Sequence, residues 1–137
     1  MFAIPEYTVL RTPAPHPLSP TALVRWVSSS PSWRELLSDA ALPRPVPYDD
    51  PRVQIWLSVW PPGTVAPWHR YDASQGAFAV LSGVVVEHAG GTARTLRPGQ
   101  MRVFGPGYRH TVRSAGPEPA VTVHVQIDGI SRANGAP

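Results

Sequence analysis

From Arg52 onward the chain settles into a period of two, and this limits the folds open to it. Val53, Ile55, Leu57 and Val59 alternate with Gln54, Trp56, Ser58 and Trp60, and further short apolar runs follow at 78–81, 84–86, 101–104 and 121–127. Alternation of this kind is what a strand with two different faces requires. The runs are set off by Gly90-Gly91, Pro98-Gly99 and Gly105-Pro106-Gly107, all turn-forming pairs or triplets. No helical pattern separates them, so parallel βαβ units are excluded, and an all-β closed antiparallel sandwich or barrel is expected.

Before Arg52 the composition differs. Residues 1–50 are rich in proline and hold two short helical patterns. Ser19-Pro20 supplies an N-cap and a first-turn proline ahead of Leu23, Val24, Trp26 and Val27, and Ser30-Pro31 does the same ahead of Trp33, Leu36 and Leu37. The expected organisation is a Pro-rich arm over 1–18, one domain over 19–130 whose helical segment occupies 19–40, and a frayed tail over 131–137.

A chain of 137 residues suits one core and leaves no room for a separate catalytic module. It has no cysteine, which removes disulfides, thiolate metal sites and a cysteine nucleophile. All twelve basic residues are arginines scattered along the chain, and the net charge is only +3, so the footprint of a nucleic-acid binder is missing. No apolar run approaches the roughly 20 residues that span a bilayer, and no secretory leader pattern opens the sequence. The expectation is a cytoplasmic protein without nucleic-acid or membrane partners.

Three of the five histidines fall where strands converge. His69 and Tyr71 are two apart on an expected strand and so share a face, His110 follows a Gly-rich turn, and His124 lies mid-strand between Val123 and Val125. A barrel has one interior, and imidazole is a common ligand for iron, copper, nickel and zinc. His16 and His88 read as surface residues, and alternation points Arg70 and Asp72 outward. Trp60 and Trp68 flank the His69 segment and could wall a pocket.

Two spacings then become specific: Gly63-x5-His69-x-Tyr71-x4-Gly76-x6-Gly83, and Gly99-x5-Gly105-Pro106-Gly107-x2-His110-x3-Ser114. With Trp60-Pro61-Pro62-Gly63, Gly76-Ala77-Phe78 and Val121-x-Val123-His124, they resemble the bacterial cysteine dioxygenase family of the cupin superfamily, over about residues 19–126. The resemblance implies a single-domain double-stranded β-helix, or jelly-roll barrel, with short N-terminal helices. It implies a mononuclear non-haem metal enzyme that oxidises a small thiol such as L-cysteine with O2. Of the family's three iron-binding histidines, His69 and His110 keep their places and Tyr71 replaces the third. Arg44 matches the arginine that binds the substrate carboxylate, with one residue of gap. A Ser-x-His-x-Tyr series becomes Thr122-x-His124-x-Gln126, which makes His124 and Tyr71 the catalytic candidates and places Trp60 and Gln126 beside the substrate.

The altered position leaves three roles for Tyr71. As a phenolate it would ligate the metal and favour the ferric state; as a neutral phenol it would swing aside and leave an open position; in a metal-free barrel it would only hydrogen-bond to a histidine. Ferrous iron, Fe(II), is the cofactor implied, while two histidines and a variable third donor also suit nickel, cobalt, copper or zinc. An open position would let the same chemistry turn to oxidative rearrangement, with C–C cleavage or S–N bond formation, in natural-product biosynthesis. The alternative is a catalytically inactive cupin that binds a small anionic ligand, in which the changes at 71, 76, 114 and 126 are decay; retention of His69, His110, Arg44 and His124 together favours the enzyme. Pairing through sheet edges makes a homodimer compatible with this fold.

Overall fold

The computed structural model describes residues 19–37, 43–71 and 74–128, and among these two helices precede the strands. Helix α1 spans Pro20–Ser28; the Ser19 hydroxyl accepts from the Ala22 N–H at 3.0 Å, and Pro20 occupies the first turn, where its missing N–H has no cost. Leu23, Val24 and Val27 recur on one face and are fully buried, each stabilising by about 1.5–3 kcal/mol relative to an exposed side chain. We expect Ser19→Ala to lose about 1 kcal/mol of stability, read as a lower urea midpoint; an unchanged midpoint would mean that the Ala22 N–H does not need this cap. Helix α2 is only four residues, Trp33–Leu36. It starts later than Ser30-Pro31 suggests, because the Ser30 hydroxyl accepts from the Ser32 N–H and closes a preceding turn instead. The arm 1–18, the end of the helical segment at 38–40, Asp72 and the tail 131–137 lie outside the described residues.

Nine strands follow among the described residues: β1 (Arg44–Pro45), β2 (Val53–Trp60), β3 (His69–Tyr71), β4 (Ser74–Ser82), β5 (Val85–Ala89), β6 (Thr92–Leu96), β7 (Met101–Phe104), β8 (Tyr108–Ser114) and β9 (Ala120–Asp128). They form a five-stranded sheet, ordered β1-β2-β9-β4-β7, and a four-stranded sheet, ordered β3-β8-β5-β6, with every pairing antiparallel. This is the expected double-stranded β-helix.

The larger sheet is buried on both faces. One face carries Ile55, Leu57, Ala77, Val123, Val125 and Ile127 against Leu23, Val27, Trp33 and Leu36 of the helices. The other turns Phe78, Val80 and Phe104 toward Val85, Leu96 and Val112 of the smaller sheet. The helices therefore cover the outside of the barrel wall, and the second cluster fills its closed end. No helix among the described residues is long and apolar enough to cross a membrane.

Candidate active site

Strand alternation selects what enters the barrel. On β8 the inward series is Tyr108, His110, Val112, and on β5 it is Val85 and Glu87. Glu87 and His110 are each 1% exposed, and an ionisable pair buried so deeply must satisfy itself. It does. Glu87 Oε2 lies 2.7 Å from His110 Nδ1 and accepts the Tyr108 hydroxyl at 2.6 Å, while Oε1 accepts Arg102 Nε at 2.8 Å. Burial pushes the Glu87 carboxyl upward, but the hydrogen bonds from His110, Tyr108 and Arg102 together outweigh it and hold the group below the usual glutamate range. Burial, then the hydrogen bond to Glu87, raises the Tyr108 phenol, so it stays protonated and donates.

A carboxylate on Nδ1 fixes the neutral imidazole as the Nδ1–H tautomer and gives Nε2 the lone pair, the arrangement seen behind metal-bound histidines. Across the β3–β8 pairing, His69 stands directly opposite His110 and Tyr71 directly opposite Tyr108. The register thus brings the three residues expected to hold a metal onto two adjacent strands at one end of the barrel. His69 and Tyr71 enter only through this backbone placement.

His124 lies in the adjoining wall. Its ring stacks on Trp56 at 5.2 Å and on Phe78 at 5.6 Å between centroids, and Phe78 also packs against His110 at 5.8 Å. Trp60 Nε1–H donates to Thr122 Oγ1 at 2.7 Å, and that oxygen is 2.7 Å from His124 Nε2. Trp60 and His124 are therefore linked through Thr122 on the inward face. Gln126 lies on the same face, opposite Gly76, and its amide donates to Asp128 at 3.0 Å. Arg44 is elsewhere: it pairs with Leu57, on the parity that meets the helices, whereas its neighbour Pro45 pairs with Trp56 on the His124 side. Trp68 is 48% exposed, with the Arg109 guanidinium 4.7 Å from its ring centroid, so it does not wall the interior.

Glu87, Arg102 and Tyr108 escape the sequence reading. The one signal they give is a charged residue at an inward position of an apolar run, as in Val85-Val86-Glu87 and Met101-Arg102-Val103.

The Cupin domain family matches residues 56–126, more than half of the chain and the whole of this site. The chain belongs to the cupin family. Among solved structures, this cupin is similar to the TT1209 protein of Thermus thermophilus, at 27% identity over 61% of this chain and 79% of that one, with a TM-score of 0.56. An uncharacterized conserved protein with a double-stranded β-helix domain from Klebsiella pneumoniae aligns at 23% identity over 71% and 87%, with a TM-score of 0.61. A predicted oxalate decarboxylase from Thermotoga maritima aligns at 19% identity over 57% and 69%, with a TM-score of 0.55. No curated protein matches the sequence. These likenesses establish the cupin fold and do not single out the thiol dioxygenases.

Cupins typically bind a metal ion; among the described residues no group of three His, Cys, Asp or Glu could hold one, and of the expected donors His110 is seated against Glu87 while the strand register sets His69 and Tyr71 opposite His110 and Tyr108.

Proposed function

We propose that this cupin is a mononuclear metal-dependent oxygenase that uses O2 to oxidise the sulfur of a small thiol such as L-cysteine. The observation that carries the reading is the buried Glu87–His110 contact of 2.7 Å, since a carboxylate on Nδ1 serves a histidine whose other nitrogen has a ligand to hold. His69 and His110 would hold the metal, ferrous iron by resemblance, with Tyr71 as the third donor or as a neutral neighbour. When bound, the metal supplies the redox chemistry that lets a closed-shell thiol react with O2.

The chain's own residues do the rest. Glu87 fixes the His110 ring, and Arg102 and Tyr108 fix Glu87. Trp56, Phe78 and Phe104 make the wall around His110 and His124 apolar, which excludes water and strengthens the electrostatic contacts inside. Trp60 and Thr122 set the orientation of His124. Gly76, opposite Gln126, gives its space to the Phe104 ring, which a Cβ there would meet at 2.5 Å. Sulfinate formation places both atoms of O2 on sulfur and needs no external reductant; with Tyr71 as a neutral neighbour, the position of the third histidine would stand open and would allow diversion to rearrangement, with C–C cleavage or S–N bond formation.

The test is oxygen uptake by the iron(II)-reconstituted protein with a panel of small thiols headed by L-cysteine, with product masses from the same reactions. We expect thiol-dependent uptake that His110→Ala abolishes. Cysteine sulfinate as sole product would exclude rearrangement. Silence with iron, nickel, cobalt, copper and zinc would overturn the enzyme in favour of a catalytically inactive cupin that binds a small anion, a reading favoured by the arginine-lined pocket described next.

A further inference from the structure

A pocket of about 390 Å³ opens beside the Glu87 network, between the β5–β6 hairpin and the start of β8, and Arg94, Arg102 and Arg109 all line it. The three guanidiniums are not equivalent. Arg102 is committed to Glu87 Oε1 and to the Tyr108 hydroxyl, at 2.8 and 3.4 Å. Arg109 lies over the exposed Trp68 ring. Arg94 stands directly opposite Glu87 across the hairpin, the position where a cross-strand ion pair is expected, yet the Glu87 oxygens are taken up by Arg102, Tyr108 and His110. Among the described residues the Arg94 side chain has no hydrogen-bond or ion-pair partner.

We infer that this pocket is a binding site for the carboxylate of a small organic anion, with Arg94 as its docking group. A guanidinium presents two parallel N–H donors that match a carboxylate edge. Thr92, opposite Ala89 and also lining the pocket, adds a hydroxyl on the same face. Gly90 and Gly107 carry no side chain to narrow the rim, and both take positive φ, +57° and +86°, which glycine adopts without strain. Glu87 offsets Arg102, and the contact with the neutral Trp68 ring leaves the Arg109 charge in place, so Arg94 and Arg109 give the pocket a net positive charge that suits a carboxylate anion such as the malonate dianion. The inference goes beyond the proposed function: the pocket opens on the Glu87 side of His110, and none of the residues assigned to the metal lines it.

Malonate titrated into the metal-free full chain, followed by calorimetry, tests the pocket apart from any turnover. Saturable binding is expected, weakened at least tenfold by Arg94→Gln and retained in part by Arg94→Lys, which keeps the charge and loses the fork. Arg97→Gln, an equal charge change at an exposed position outside the pocket, controls for net charge and is expected to leave binding unchanged. Arg94 lies on the surface, so its variants fold. Malonate bound equally by wild type and Arg94→Gln would overturn the inference, and inorganic phosphate bound as tightly as malonate would overturn its assignment to a carboxylate. Arg94-dependent malonate binding without uptake of oxygen for any thiol would sink the oxygenase and leave the pocket standing. Thiol-dependent uptake of oxygen without Arg94-dependent malonate binding would do the reverse.

Discussion

Replacing Glu87 with glutamine is expected to lower the metal affinity of this cupin by about 10- to 100-fold, the usual effect of removing the group behind a metal-bound histidine. The amide is nearly the same shape, so the loss comes from proton positions. Glu87 Oε2 is an acceptor toward both His110 and Tyr108, at 2.7 and 2.6 Å. An amide that keeps its oxygen on Arg102 turns its NH2 toward these two groups; His110 must then accept at Nδ1 and carry its proton on Nε2, the atom that should hold the lone pair. Turning the amide over restores His110 and sets NH2 against the Arg102 guanidinium. The first arrangement takes the lone pair from Nε2 and the second sets NH2 against a cation, and loss of a buried charge partner costs about 3–5 kcal/mol where both charges are dry. Arg102 keeps 27% of its side chain exposed, so solvent relieves part of this and the lower end applies. Metal titration by calorimetry reads the affinity and urea denaturation reads the stability. An unchanged affinity would show that Glu87 is a structural partner only, and would remove the observation on which the metal centre rests.

The sign of the acid response follows from the same group. Because the folded carboxyl is held below the usual 4.5, the stability it contributes is complete above the unfolded value and is lost as the pH falls through the folded one. Glu87→Gln should lose less stability than wild type over that acid range.

Much of the barrel is legible in the sequence because alternation is local. His69, Tyr71 and His110 are legible as candidates for the same reason: two fixed spacings around glycine turns place them, and the β3–β8 register pairs those segments. Glu87 is illegible by the same logic, since its partners lie 15, 21 and 23 residues away on other strands and only closure of the barrel joins them. Faces are illegible where both are buried. The alternation of β2 shows that Ile55 and Leu57 share a side; it does not reveal that this side meets helices and that Trp56 and Trp60 look inward. Arg44 shows the consequence, because a one-residue difference in register turns a side chain to the other face of a sheet, and an alignment with one residue of gap leaves that choice open. Ser30-Pro31 is a smaller case: its cap closes a turn and the helix begins at Trp33.

Gly83→Ala is expected to destabilise this cupin by about 3 kcal/mol, the sum of a left-handed backbone and an overpacked contact, and to lower Tm by about 10 °C. Gly83 sits at φ +80° where β4 ends, and a Cβ there would lie 2.6 Å from Ala120 Cα and 2.7 Å from the Pro119 carbonyl oxygen. Both are backbone atoms at the entry to β9, and Ala120 is fully buried, so neither can yield as the end of a flexible side chain would. Gly91→Ala separates the two contributions: its φ is +77° but a Cβ meets nothing within 4 Å, so it should cost only about 1–2 kcal/mol for the backbone. Urea midpoints of the two variants give the difference directly, and equal losses would show that the β4 corner does not pack on β9. The contact matters beyond stability, because Ala120 leads into Thr122 and His124. A corner pushed outward at Gly83 would displace the strand that carries them and lengthen the 2.7 Å contacts joining Trp60, Thr122 and His124. Whatever activity Gly83→Ala retains should therefore fall further than that of Gly91→Ala when both are assayed well below their unfolding temperatures.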